Sequence, residues 1–145
     1  MTPRYVLDTD ILSEYQRGNS RVTERVTGTD PRLVATTIVS AYEQLRGRFG
    51  PVVKAESRRI PAEIIATYRR LRETIEFFRD VQVIDYSLGA EQCFAVHRRE
   101  ITVQKVKTPD LRIACIALSI GATLVTRNRS HYQEIPNLPV EDWSA

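Results

Sequence analysis

Arg4-Tyr-Val-Leu-Asp-Thr-Asp-Ile-Leu-Ser13 runs from a short apolar stretch through two carboxylates into a helical pattern. Arg4 to Leu7 has the β-branched and aromatic character of a buried strand, and Asp10-Ile-Leu-Ser13 has the N-cap spacing that opens a helix. Strand therefore hands over to helix within three residues. The same hand-over recurs along the chain. Leu33 to Thr36, Val81 to Ile84 and Ala122 to Val125 read as further strands, and Pro139-Val-Glu141 as a fifth at the sheet edge. Helices are expected over Arg21 to Thr27, Ile38 to Arg46 and Leu88 to Arg98, with Gly47, Gly50 and Pro51 breaking the second of these. From Pro61, apolar residues at 64, 68, 71, 75 and 78 give the clearest amphipathic helix. Thr108-Pro109 starts another, whose body Ile113 to Leu118 is apolar nearly all round and must be buried, with Gly121 as its stop. Residues 101 to 107 read as a loop.

Strands alternating with helices imply an α/β fold with a mostly parallel sheet of about five strands, covered on both faces. A chain of 145 residues is long enough for one such domain, 1–145, and short for two. Ligands of an open α/β sheet bind at the carboxyl ends of the strands. Three acids belong to such junctions: Asp8 at the end of the first strand, and Glu43 and Asp110 near helix starts. Each has a structural alternative. Asp8 is free for chemistry if Asp10 caps the first helix. Ser40-Ala-Tyr-Glu43 fits a capping box, and Asp110 sits where the helix dipole favours an anion.

A formal net charge of +3 and a preponderance of Arg over Lys suit bidentate contact with phosphate. Cys93 and Cys115 lack CxxC spacing and there are two histidines, so a zinc site lacks ligands and the cysteines read as buried thiols. Neither a secretory h-region nor a membrane span is legible, which sets a cytoplasmic expectation.

Taken in order, Val6-Leu-Asp-Thr-Asp-Ile-Leu-Ser13, Thr36-Thr-Ile-Val-Ser-Ala-Tyr-Glu-Gln-Leu-Arg-Gly47, Pro109-Asp-Leu-Arg-Ile-Ala114 and Leu124-Val-Thr-Arg-Asn-Arg-Ser-His-Tyr132 form a set. The set, closed by Ile135-Pro-Asn-Leu-Pro-Val-Glu-Asp-Trp143, resembles the PIN domain, specifically the VapC toxins of bacterial toxin–antitoxin pairs. The resemblance implies a single three-layer α/β/α domain and a metal-dependent endoribonuclease. It makes Asp8 and Asp110 ligands of Mg²⁺ (or Mn²⁺), with Glu43 as the third acid. Products with a 3′-hydroxyl and a 5′-phosphate are implied, and tRNA or another structured RNA is a plausible substrate. A VapB-type antitoxin and homodimerisation are implied as well; the apolar 113–118 helix either contributes to a dimer or is buried within the monomer, readings that the sequence leaves open.

The chain departs from many relatives at Asn128, where a fourth acid is usual, so one well-held ion is expected. Thr126 and Asn128 are placed at the cleft. Arg46, Arg48, Arg127 and Arg129 are the candidates for gripping phosphate. His131 reads as a surface or packing residue, and His97 as core. An alternative enzyme reading is a haloacid dehalogenase-like phosphatase with Asp8 as nucleophile, because Asp8-Thr-Asp10 imitates its DxD. The non-enzyme alternative is a domain that only binds RNA or protein.

Overall fold

A computed structural model describes residues 1–100 and 103–145. Five strands form one parallel sheet in the order β3-β2-β1-β4-β5: β1 (Tyr5–Leu7), β2 (Val34–Thr37), β3 (Val83–Ile84), β4 (Thr123–Val125) and β5 (Val140–Glu141). Six α-helices connect them: α1 (Thr9–Gln16), α2 (Ser20–Thr27), α3 (Ile38–Arg58), α4 (Pro61–Asp80), α5 (Leu88–His97) and α6 (Thr108–Ser119). The expected α/β architecture is borne out, with a sheet that is parallel throughout.

The central pair shows how few residues make the layers. Val6 is registered with Leu124, and Leu7 with Val125. Because neighbouring strand residues face opposite ways, Val6 and Leu124 enter one core with Ile113, Ile116 and Ala90, which lie on α5 and α6. Leu7 and Val125 enter the other, with Ile11, Leu12, Val22 and Trp143. Tyr5 stacks against Trp143 with ring centroids 5.1 Å apart.

Three sequence expectations change or are resolved. Helix α3 does not end near Arg46; it continues through Gly47, Gly50 and Pro51 to Arg58. Proline removes one helical hydrogen bond and crowds the carbonyl four residues back. Here that carbonyl belongs to Gly47, which is exposed and can be hydrated, while Val52 and Ala55 are buried and α3 packs along α4. Tertiary packing overrides the local breakers. Second, the amphipathic stripe of α4 is only partly covered: Ile64, Leu71 and Phe78 are half-buried, Tyr68 and Ile75 are exposed, and Thr74 is the one fully buried residue of the helix. Third, Ile113 to Ala117 are all fully buried inside the chain, so of the two readings of α6 the monomer's own core accounts for these side chains.

Positive φ at Gly121 (68°) ends α6 and turns the chain into β4, as the sequence suggests. Residues 103–107 form turns rather than a strand, and the first two positions of the expected 101–107 loop lie outside the described residues. Cys115 is buried and Cys93 half-buried, with their thiols facing each other across α5 and α6. His97 is largely buried, and its Nδ1 lies 3.4 Å from Glu100 without hydrogen-bond geometry. Among the described residues, no helix is long and apolar enough to cross a membrane.

Candidate active site

The order in which strands join the sheet switches sides at β1: β2 lies on one side of it and β4 on the other, all of them parallel. The carboxyl ends of β1 and β4 therefore bound a crevice, the usual ligand position in such sheets. Asp8 follows β1 and Thr126 follows β4, and both are buried. Backbone hydrogen bonds fix this edge, with Asp8 N–H donating to Val125 O at 3.0 Å and Thr126 N–H to Glu141 O at 2.9 Å.

Asp8 itself caps α1: its Oδ1 accepts the Ile11 N–H at 2.9 Å. This corrects the expectation that Asp10 would cap and leave Asp8 free. The cap engages one carboxylate oxygen and orients the side chain. Asp8 is only 4 % exposed, and its carboxyl is pushed up to about 7. Burial is the main cause, joined by the negative charges of Asp10 and Asp110, while Thr126 and the Ile11 N–H favour the ionised form.

Glu43 comes from the second turn of α3. Thr37, not Ser40, caps that helix by accepting the Ser40 N–H at 3.1 Å, which removes the capping-box explanation for Glu43. The Thr9 hydroxyl donates to Glu43 Oε1 at 2.7 Å and stands 2.9 Å from Ser40 Oγ. Glu43 thus faces the start of α1. Its proton affinity is raised by partial burial and by Asp110 and Asp10, and reduced by Thr9 and Arg46. Asp110 lies in the first turn of α6, where His131 Nε2 stands 3.1 Å from its Oδ2. Tyr132, buried beneath, has its phenol proton held more tightly by burial and by the four acids Asp8, Asp110, Asp10 and Glu43.

The three distant acids thus share one electrostatic neighbourhood, and Asp10 is a fourth member that the sequence pattern assigns to capping. Among the described residues, neither Asp8 nor Glu43 has an Arg, Lys or His partner within 4 Å, and Asp110 has only His131. Clustered carboxylates in that state need protons or a cation. Among the described residues, however, no group of three His, Cys, Asp or Glu side chains is arranged to hold a metal ion. The two observations are compatible with a hard divalent ion of the Mg²⁺ kind, which uses one or two carboxylates and keeps several waters. The donor set fits such an open site.

Other candidates are distributed less tightly. Asn128 is exposed; its N–H donates to Thr126 Oγ1 and its Oδ1 accepts from Ser130, both at 3.1 Å, so it holds the turn after β4. Arg127 is paired with Glu14 at 2.9 Å. Arg48 donates to Thr74 Oγ1 on α4 at 3.0 Å and does not face the acids. Arg129 is exposed beyond the turn, and Arg46 is the arginine whose charge reaches Glu43. His131, expected only to pack, does meet Tyr132 edge-on, but its ring also contacts Asp110. Only its place in the fold, 21 residues from Asp110 in sequence, reveals that contact.

No protein-family model matches the chain. The chain is 29 % identical to Ribonuclease VapC1 of Haemophilus influenzae (strain R2866) over 147 aligned positions, covering 97 % of this chain and 98 % of that protein. Its fold is similar to a chain in the structure of VapBC-1 from nontypeable Haemophilus influenzae, with TM-score 0.76, 23 % identity and 97 % and 98 % of the two chains covered. A chain of the DNA-bound VapBC from Salmonella typhimurium gives TM-score 0.77 at 23 % identity over 98 % and 99 %. The resemblance to VapC ribonucleases read from the sequence blocks is borne out along nearly the whole chain.

Proposed function

We propose that this chain is a metal-dependent endoribonuclease, the toxin of a toxin–antitoxin pair, acting in the cytoplasm and restrained by a VapB-type antitoxin. The observations that support the proposal are the burial of Asp8 at the carboxyl end of β1 and the negative charge of Asp110 and Asp10 that reaches both Asp8 and Glu43, with no Arg or Lys within 4 Å of the three acids among the described residues. A similarity of 29 % to a named ribonuclease over 97 % of the chain supports it.

In this reading Asp8 and Asp110 hold Mg²⁺ or Mn²⁺, with Glu43 beside them. The bound ion supplies Lewis-acid stabilisation of the charge that develops on a phosphodiester under attack by water. The residues do the rest. The cap to Ile11 fixes Asp8, and His131 fixes Asp110 through Oδ2. Thr9 holds Glu43 by Oε1, so its Oε2 is available to take a proton from the attacking water, a task suited to its raised proton affinity. The burial of Asp8 keeps water from screening the charges at the crevice. RNA is cleaved without a covalent intermediate, leaving a 5′-phosphate. One ion is expected, because Asn128 is a neutral donor already used in its turn.

The deciding experiment incubates the purified chain, free of antitoxin, with total RNA in Mg²⁺ and in EDTA and sequences the new 5′ ends. Cleavage that needs the divalent ion and disappears in Asp110→Ala upholds the proposal. Cutting that survives EDTA overturns it. An intact-mass shift of one phosphate on Asp8 after incubation with a phosphate monoester would favour the phosphatase alternative.

A further inference from the structure

Beside the acids lies a depression of about 340 Å³ of which the catalytic reading uses only Glu43, at its edge. Its walls are the N-terminal portions of α3 and α6, the two helices that carry Glu43 and Asp110, and its lining includes Ile38, Tyr42, Glu43, Arg46, Pro109 and Arg112. Ile38, Tyr42 and Arg46 follow one another at intervals of four on α3, so they form a single stripe along one helix face. Tyr42 is 59 % exposed, and its hydroxyl has no hydrogen-bond partner among the described residues. Arg46 forms no ion pair among the described residues. Across the depression, Arg112 is fixed: it bonds Glu91 at 2.7 Å and lies over the Phe94 ring at 3.9 Å. It therefore makes a rigid rim.

An exposed aromatic ring, an apolar floor and an unpaired arginine one helical turn away match an unpaired nucleobase and its phosphate. Single-stranded bases are held by stacking on aromatic faces, while the backbone is held by cations. A volume near the lower end of ligand pockets suits one base rather than a duplex. We propose that this depression is a nucleobase subsite, in which Tyr42 stacks an unpaired base next to the scissile phosphate and Arg46 contacts the adjoining backbone phosphate. The subsite rests on the ribonuclease reading, and it assigns single-stranded or splayed-out nucleotides as the substrate at the cut.

The test is a binding measurement that involves no cleavage. Fluorescence anisotropy on the full chain in EDTA compares an oligouridylate with the same ribose-phosphate backbone lacking bases. The base-bearing strand should bind about tenfold more tightly, in line with the range for base–aromatic stacking. Tyr42→Ala should erase that preference, and Tyr42→Phe should keep it. Arg46→Ala should weaken both strands alike and reduce the salt dependence. Circular dichroism confirms that each variant folds, as expected for exposed positions.

Equal binding of the two strands by the unaltered chain overturns the proposal, and so does a preference that survives Tyr42→Ala. If Tyr42→Ala leaves RNA binding untouched but weakens capture of the antitoxin, the depression is a protein site and the proposal fails. Cleavage in Mg²⁺ is scored separately. A base preference lost in Tyr42→Ala without any cleavage strikes the nuclease reading alone, while cleavage without base preference strikes the subsite alone.

Discussion

Helices α4 and α6 make opposite use of apolar residues. Over twenty residues, α4 buries Thr74 alone, whereas α6 buries six of its twelve. Amphipathic spacing is clear in α4 and weak in α6, yet the weakly patterned helix is the one inside. The difference teaches that burial follows contact with the sheet, not helical periodicity by itself. Helix α6 lies against β1 and β4 and brings Asp110 to their carboxyl edge. Helix α4 packs on α3, away from the acids, and leaves Ile65, Tyr68 and Ile75 in solvent.

The contrast is broken most severely at the tip of α6. Asp110→Ala and Asp8→Asn should each lower kcat by on the order of a thousandfold, measured as initial cleavage rates on a defined RNA. Substituting the exposed Glu76 of α4 by Gln should leave the rate within twofold, roughly the scale of surface changes. Comparable losses from both helices would dissolve the distinction.

Stability separates the helices next. Ile113→Ala in α6 should cost about 2–5 kcal/mol through lost burial and a cavity, and Ile75→Ala in α4 under about 0.5 kcal/mol, both from urea midpoints. Equal costs would mean that α4 is covered in solution.

The acids sharpen the comparison through pH. In the fold Asp8 holds its proton up to about pH 7, above the ordinary carboxylate value, so the metal-free folded state binds more protons than the unfolded chain in that interval. Its contribution is therefore fully present at low pH and is lost as pH rises toward 7. Measured in EDTA, the stability of the unaltered chain relative to Asp8→Asn should fall by a few kcal/mol between pH 4 and 8, since each tenfold gain in proton affinity on folding corresponds to about 1.4 kcal/mol. Asn keeps the helix cap, which isolates the charge. A difference independent of pH would refute the burial cost assigned to Asp8.

The smallest effect belongs to the α3–α4 pair. Thr74→Val removes the acceptor of the Arg48 bond at 3.0 Å and should cost about 1 kcal/mol without changing cleavage. Altered cleavage would connect this hairpin to the site after all.

Asp8 and Asp110 are legible in the sequence because a carboxylate just past a buried strand or in a first helical turn occupies a position the fold itself makes functional. Glu43 is legible only through the order of the motif blocks, since its local pattern points to a cap. His131 and Asp10 are not legible as part of the site. The first meets Asp110 only after β4 is paired, and the second acts through charge at a distance. The break expected at Pro51 fails because propensity is local, while the packing of α3 on α4 is not.

The order of strands and helices, the burial of residues 113–117 and the candidacy of Asp8 and Asp110 were written in local residue pattern, because periodicity and element junctions are properties of neighbouring residues. Which acid caps α1, how far α3 runs, which side chains Arg48 and Arg127 bond and how strongly the carboxylates repel one another were decided by tertiary structure. Those depend on distances and exclusion of water between segments up to a hundred residues apart, and such quantities exist only once the chain has closed around its sheet.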